Sequence, residues 1–196
     1  MLLSNKTCVL IATEMEASPL LKELTKTSND SAPYPLFEGS NINVLITGMG
    51  FINAANATEW AITQGAKKFI NAGICGCIND QLLLYQICYP SFIINLDDNI
   101  EKNKTIEIKN SENFQIGTVR DPLHGGQNRT LFQNYCDLID MESFPIAYTL
   151  KKHQLPLRLI KCISDFCQTN GQNEIKKNLP RAALLLREAI FLAIKE

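Results

Sequence analysis

The 196-residue sequence predicts an α/β fold: a single domain with a central mixed, mostly parallel sheet flanked by helices. Short apolar segments rich in Val and Ile alternate along the chain with segments of helical pattern. The apolar segments are apolar at almost every position, which is typical of strands covered on both faces of a sheet. The length corresponds to one domain, so we predict that residues 1–196 form a single unit.

The predicted elements follow one another in this alternation. Strands are predicted at residues 7–12, 42–47, 67–72, 86–94 and 155–164. Helices are predicted at residues 16–26, 53–64, 141–153 and 179–195. Pro19 and Pro145 are compatible with two of these helices because each proline falls early in its helix. The polar stretch at residues 97–115 interrupts the alternation, and we interpret it as a solvent-exposed excursion with a hairpin near residues 105–109.

Composition limits the classes of partner. The net charge is -1 and no basic block stands out, which argues against a nucleic-acid partner. No segment approaches ~18 consecutive apolar residues, so no membrane span is expected. The N-terminal segment MLLSNKTCVLIATE lacks the pattern of a secretory signal. The seven cysteines, an odd number, lie inside apolar segments, which favours buried reduced thiols and a cytoplasmic location.

Unusual residues gather where the predicted strands end. TEME follows the first strand, GMG the second, GICGC the third and DFC the last. In open α/β sheets, ligands bind at the carboxyl ends of the strands, where loops lead into helix N-termini. We therefore expect a functional site at this edge of the sheet.

The first two of these segments carry carboxylates and glycines. Glu14 and Glu16 stand where a strand leads into a helix, and a carboxylate directed into the cleft from Glu16 could orient and deprotonate a water. The alternative is that both carboxylates only stabilise the first turn of a helix that Thr13 caps. The GMG turn, which includes Met49 and Gly50, could bring backbone N–H groups close to a ligand.

A further pair of acids stands in the segment DLIDMES. Asp140 and Glu142 flank Met141 at the start of a predicted helix. Glu142 could accept two hydrogen bonds from the vicinal diol of a sugar, with Met141 as an apolar floor. Asp140 could instead do no more than cap the helix.

The segment CISDFC contains one acid between two cysteines. A buried carboxylate at Asp165 would have a raised pKa and could deliver a proton, whereas the alternative is a helix cap or turn. Cys162 and Cys167 are too far apart for the C-x-x-C redox motif, and packing is their predicted role.

Cysteine and histidine spacing argues against a metal site. Cys75 and Cys77 have C-x-C spacing, but no second pair completes a set of four ligands. The two histidines, His124 and His153, are far apart in sequence. We therefore predict neither a metal nor a cofactor.

Taken together and in this order, the segments ATEMEA, TGMG, INAGICGC, LIDMES and CISDFC resemble the nucleoside phosphorylase and nucleosidase superfamily, and its hydrolase branch in particular. The resemblance covers about residues 7–168. It implies that Glu16 activates the attacking water, Glu142 holds the ribose hydroxyls and Asp165 protonates the departing purine. It also places further residues against the substrate: Met49 and Gly50 beside the ribose, Met141 beneath it, and the backbone around Leu123 and His124 at the base.

The resemblance also bears on substrate and assembly. Phosphorylases of this superfamily place arginines around the phosphate, whereas this chain has no arginine before Arg120, so water is the expected nucleophile. TEMEASPL is most similar to futalosine hydrolases, which cleave futalosine to hypoxanthine and dehypoxanthine futalosine in menaquinone biosynthesis. Ile74 stands where adenosine-type nucleosidases usually have serine, and Cys77 replaces a glycine. Members are commonly dimers with the site near the interface, so a homodimer is expected.

Two alternatives to futalosine hydrolysis stay open. One is a methylthioadenosine/S-adenosylhomocysteine nucleosidase, which would release adenine rather than hypoxanthine. The other is a nucleoside-binding protein without catalysis. The presence of Glu16, Glu142 and Asp165 together argues against the second, because a binding protein has no need of all three acids.

Overall fold

The structure, a computed structural model, describes residues 3–4, 6–26, 32–96, 104–122, 126–168 and 171–195. The first elements in chain order are β1 (Thr7–Ile11), α1 (Glu14–Leu21), β2 (Thr25–Lys26), β3 (Leu36–Glu38), β4 (Ile42–Ile46), α2 (Phe51–Thr63), β5 (Lys68–Cys77), β6 (Ile87–Cys88) and β7 (Pro90–Asn95). They are followed by β8 (Thr105–Glu107), β9 (Glu112–Thr118), α3 (Gly126–Phe132), β10 (Leu138–Asp140), α4 (Ser143–Lys152), β11 (Leu157–Asp165) and α5 (Gly171–Lys195).

These strands form one mixed sheet, which confirms the predicted fold class. The order is β2-β3-β4-β1-β5-β10-β9-β7-β8, and β11 pairs with β5 and with β6. The strands β4, β1, β5 and β11 run parallel to one another. The direction changes between β5 and β10, which are antiparallel, and β10, β9 and β7 are again mutually parallel.

Helices cover both faces of the central strands. Alternate residues of β1 show this directly, because Cys8 and Leu10 pack into the cluster that contains the buried residues of α2 and α4. Val9 and Ile11 pack into the cluster that contains the buried residues of α1 and α5. All four side chains are almost fully buried, and this two-sided burial explains why the strand is apolar at every position.

The strand β5 is longer than predicted, because the segment GICGC continues the strand rather than ending it. Glycines in a strand interior often mark a close approach of other groups. A Cβ atom on Gly73 would lie 3.3 Å from Glu16 Oε1, and one on Gly76 would lie 2.3 Å from Cys167 Sγ. The two glycines therefore make room for neighbouring side chains within a continuous strand.

Two predictions in the middle of the chain are corrected, and the expected hairpin is located. The strand predicted at 86–94 is two strands, β6 and β7, and Pro90 begins the second, a position that tolerates the missing N–H. The polar excursion at 97–115 was predicted too long, since β9 begins at Glu112 and alternates exposed and buried residues before its fully buried end. The expected hairpin strand is β8, which pairs antiparallel with β7.

Helix boundaries also differ from the predictions. The helix α1 ends at Leu21, and the last predicted helical residues form the edge strand β2. The helix α4 begins at Ser143, after β10 and a two-residue bend, and neither β10 nor α3 was predicted from the sequence. The helix α5 begins well before its predicted start, at Gly171. No helix in the described ranges is long and apolar enough to cross a membrane.

Candidate active site

The three acids singled out by the sequence lie around the glycine-containing half of β5. Glu16 follows β1 and approaches Gly73, whereas Asp165 ends β11 opposite Gly76 in the strand register. Glu142 follows β10 and is close enough to Glu16 for their charges to interact. The expectation that polar groups meet beside the strand ends is thus met for these carboxylates.

Glu16 has a structural and a potential chemical role at once. Thr13 caps α1, and Glu16 completes a capping box in which its Oε2 accepts from the Thr13 backbone N at 3.1 Å and from its Oγ1 at 2.9 Å. Oε1 accepts from the backbone N of Ile74 on β5 at 3.1 Å. Burial raises the pKa of Glu16, and hydrogen bonds from Ile74 and Thr13 together with the charge of Lys161 act in the opposite direction.

The GMG turn is connected directly to Glu142. Gly50 has a φ of 90°, a backbone conformation that favours glycine, and its N–H donates to Glu142 Oε1 at 2.7 Å. Burial, together with the charge of Asp140, raises the pKa of Glu142 to about 7, although Lys161 and the Gly50 N–H lower it. No other donor to Glu142 is found among the described residues, so lone pairs remain for the hydroxyls of a ligand.

Asp165 is buried at the end of β11. Its Oδ1 accepts from Ser164 Oγ at 2.8 Å, and its Oδ2 accepts from the Cys167 backbone N at 2.9 Å. Cys167 lies in the bend after β11 and has a positive φ of 54°. Burial raises the pKa of Asp165, the two hydrogen bonds oppose the increase, and the charge of Glu174 adds to it. A raised pKa favours a carboxyl group that retains its proton.

The cysteines around Asp165 pack rather than react. All seven cysteines are free and buried. Burial raises the pKa of the Cys162 thiol to about 12 and raises the pKa of Cys167 further, so the reactive thiolate is suppressed. Cys162 belongs to the core cluster between α5 and the sheet. The predicted packing role is confirmed.

A buried ion pair beside the acids was missed by the sequence analysis. Lys161, in the middle of β11, is only 1% exposed, and its Nζ donates to Asp140 Oδ2 at 2.7 Å. Ser143 also donates to Oδ2, through its backbone N and its Oγ, and Thr118 Oγ1 donates to Oδ1. The available signal was a lysine between apolar residues in the middle of a strand, since buried lysines are rare unless they are paired.

The remaining predicted residues are placed as follows. Met49 is 65% exposed on the turn before α2, and Met141 is half-buried and packs against the cluster formed by Ile78, Ile94 and their neighbours. Leu123 and His124 lie outside the described residues. His153 is near the surface, where it contacts Glu59 Oε2 at 2.9 Å. In the ranges that the structure describes, no group of three or more His, Cys, Asp or Glu side chains could hold a metal ion.

Fold and site together define an α/β protein with acid–base groups gathered beside strand ends, the arrangement expected of an enzyme that acts on a small molecule. The chain belongs to the phosphorylase superfamily, whose family model matches residues 6–123. No curated protein sequence matches the chain significantly.

Solved structures of nucleosidases share the fold over nearly the whole chain. The 5'-methylthioadenosine/S-adenosylhomocysteine nucleosidase of Helicobacter pylori is similar with a TM-score of 0.89 and 14% identity, over 98% of this chain and 99% of that one. The corresponding nucleosidase of Colwellia psychrerythraea, in complex with adenine, has a TM-score of 0.88 and 19% identity, over 98% and 95%. The futalosine hydrolase of Helicobacter pylori has a TM-score of 0.86 and 16% identity, over 97% and 96%.

Proposed function

We propose that the protein is a nucleosidase that hydrolyses the N-glycosidic bond of a purine nucleoside. The observation that carries this proposal is the arrangement of three carboxylates with different hydrogen-bond environments: Glu16 and Asp165, which are buried, and Glu142, which is partly exposed. The superfamily and the nucleosidases that share the fold support it.

In the proposed reaction, Glu16 is the general base. The water oxygen forms a bond to C1′ of the ribose, and its proton passes to the Glu16 carboxylate. The donors from Thr13 and Ile74 fix the orientation of this carboxylate. Proton transfer to a positioned base typically contributes ~10²–10⁴-fold to the rate.

Asp165 is the proposed general acid. When the bond between C1′ and the purine nitrogen breaks, the electron pair goes to the purine, and the Asp165 proton is delivered to its imidazole ring. The burial that raises the pKa of Asp165 keeps this proton available. The two acids therefore serve the two halves of the reaction, activation of water and departure of the base.

Glu142 is the proposed ribose ligand. Its Oε1 is fixed by the Gly50 N–H, and the free lone pairs of the carboxylate can accept from two neighbouring hydroxyls. Met141 beneath the sugar and Met49 with Gly50 beside it complete this part of the proposed site. The backbone around Leu123 and His124 is proposed to contact the base.

Futalosine is the proposed substrate, and methylthioadenosine or S-adenosylhomocysteine is the second candidate. Both activities occur among proteins that share this fold, and the TEMEASPL segment favours futalosine. With futalosine as its substrate, the protein would act in menaquinone biosynthesis.

A substrate panel tests the proposal. The purified protein is incubated with futalosine, methylthioadenosine and S-adenosylhomocysteine, with and without phosphate, and the released base is identified by chromatography. We expect hypoxanthine from futalosine without phosphate. Adenine release from the other two substrates would select the second candidate. A requirement for phosphate with formation of a sugar 1-phosphate, or no base release from any substrate, would contradict hydrolysis.

We also propose that the protein is a homodimer. The proposed contact surface consists of three exposed residues, Met49, Ile52 and Tyr148. It is linked by neighbouring rings, because the centroids of Phe51 and Phe144 are 6.2 Å apart and those of Phe144 and Tyr148 are 6.0 Å apart. This surface is continuous with the turn that holds Glu142 through Gly50. A second copy of the chain would remove these side chains from water.

A further inference from the structure

Lys161 is a buried charged group to which the proposed reaction has so far given no role. Lysine is almost never fully buried unless its charge is compensated. Burial opposes the charge of Lys161, but the carboxylates of Asp140 and Glu142 outweigh this effect and raise its pKa. Lys161 is therefore a buried cation whose ammonium pairs with the carboxylate of Asp140 at 2.7 Å.

The position of this cation relates it to the catalytic carboxylates. A Cβ atom on Gly73 would lie 3.9 Å from Lys161 Nζ and 3.3 Å from Glu16 Oε1, so the absence of a side chain at Gly73 leaves the two groups facing a common space. Its charge acts on both Glu16 and Glu142 and favours their ionised forms.

Asp140 differs from the other acids because its hydrogen-bonding capacity is occupied. Both of its oxygens receive donors from within the chain: Thr118 at 2.7 Å, Ser143 at 2.5 and 2.9 Å, and Lys161 at 2.7 Å. It is thus unsuited to bind a substrate and well suited to fix the position of an ammonium group.

We propose that Lys161 is a positioning residue for the reaction: its buried ammonium, fixed by Asp140, favours the ionised, hydrogen-bond-accepting forms of the Glu16 and Glu142 carboxylates. The inference rests on the proposed function, because it assigns the ion pair a role in that site. Burial raises the pKa of both carboxylates, and the charge of Lys161 opposes this rise at each of them. The pairing with Asp140 also explains why the cation does not require an external anion such as phosphate.

The test is the pH profile of turnover in two variants. The groups that face Glu16 are Lys161 and Glu142, and those that face Glu142 are Asp140, Lys161, Glu16 and the Gly50 N–H. In Lys161→Met, we expect the acid limb of kcat for futalosine to move to higher pH by roughly one unit, the size expected for the loss of one close opposite charge. In Lys161→Arg, which retains the charge, the limb should stay near its wild-type position.

An unchanged acid limb in Lys161→Met, or an equal shift in both variants, would overturn the inference. Because Lys161→Met leaves Asp140 buried without its counter-ion, the double variant Lys161→Met with Asp140→Asn is measured in parallel to recover the fold. Its Glu16 still lacks the cation, so its kcat limb should remain shifted upward. If the acid limb of kcat in the double variant stays at its wild-type pH, the role of Lys161 is likewise contradicted.

A second measurement needs no substrate and separates this inference from the proposed function. The pKa of Glu142 is followed by carbon NMR on protein labelled at glutamate carboxyls. It should rise above its wild-type value of about 7 in Lys161→Met and fall below it in Asp140→Asn. If the pKa of Glu142 shifts in these opposite directions in the two variants but the wild-type protein releases no base, only the nucleosidase proposal is contradicted. If the wild-type protein releases base but the pKa of Glu142 does not shift in the variants, only the role of Lys161 is contradicted.

Discussion

At the scale of single residues, hydrogen-bond donors distinguish the three acids. Glu16 receives donors from Thr13 and from Ile74, which favour its ionised form. Asp165 receives two donors at the end of its strand, whereas Glu142 receives one from Gly50. Burial raises the pKa of all three, so their proposed roles depend on these different environments rather than on residue type alone.

Asp165→Asn should lower kcat by ~10²–10⁴-fold, because the proton donor to the purine is lost while the side chain keeps its shape. Steady-state kinetics with futalosine and circular dichroism of the variant check this. Asp137→Asn is a matched control, since Asp137 also accepts two hydrogen bonds, from Asn79 Nδ2 and the Gln115 N, outside the proposed site. Comparable losses in the two variants would remove Asp165 from the mechanism.

Glu142→Gln should stabilise the protein at alkaline pH while abolishing substrate binding. The pKa of Glu142 is raised to about 7 in the folded state, so the folded protein binds this proton more tightly than the unfolded chain does. Proton binding at Glu142 therefore stabilises the folded state fully at pH values below the ordinary pKa of glutamate, and this stabilisation is lost as the pH rises through about 7. Glutamine does not titrate and can still accept from Gly50.

The free energy of unfolding in urea, measured at two pH values, checks this expectation. At pH 8, Glu142→Gln should be more stable than the wild type by about 1–2 kcal/mol, and at pH 4.5 the difference should largely disappear. A variant that is less stable than the wild type at pH 8 would contradict the expected effect.

At the scale of elements, strands that are apolar throughout could be predicted from the sequence, whereas strands within polar segments could not. The strand β1 was found because it is apolar throughout, whereas β9 and β10 escaped because they lie within polar segments. The segment GICGC was predicted to follow the third strand, although it continues β5 and its glycines allow close packing. The acids of the site could be anticipated from strand ends. A lysine among apolar residues could indicate that Lys161 is paired, but Asp140 lies on a different strand, and no local pattern identifies it as the partner.

Gly76→Ala tests whether β5 must lack a side chain at this position. The added Cβ would lie 2.3 Å from Cys167 Sγ, so the chain beside Asp165 must shift. We expect a loss of about 1–3 kcal/mol in unfolding free energy, measured by urea denaturation. The double variant with Cys167→Ala removes the sulfur and should recover most of the loss. If Cys167→Ala gives no recovery, the close contact is not the cause.

At the scale of the whole molecule, the apolar surface of Met49, Ile52 and Tyr148 adjoins the candidate site. The described chain is a single sheet with helices on both faces, so this surface is not needed to complete its own core. Its position next to the turn that holds Glu142 connects assembly with substrate binding in the proposed dimer.

Ile52→Lys should convert the dimer to monomers and weaken substrate binding. Ile52 is 70% exposed, so a lysine there can be hydrated in the monomer but would place a charge in the proposed interface. Light scattering coupled to size-exclusion chromatography measures the mass. Leu192→Lys on α5 is the matched control, because Leu192 is 62% exposed outside the proposed interface. A wild-type monomer, or equal masses for Ile52→Lys and the wild-type dimer, would contradict this interface.

The capping box of α1 has a consequence for the behaviour of the protein on heating. Glu16 both completes the first turn of an eight-residue helix and is the proposed base. Helix ends open locally at a lower cost than global unfolding, and each opening of this turn would release the carboxylate from Thr13. Heat inactivation should therefore begin as a reversible loss of activity while the sheet is still folded, because the Glu16 carboxylate is displaced before the chain unfolds globally.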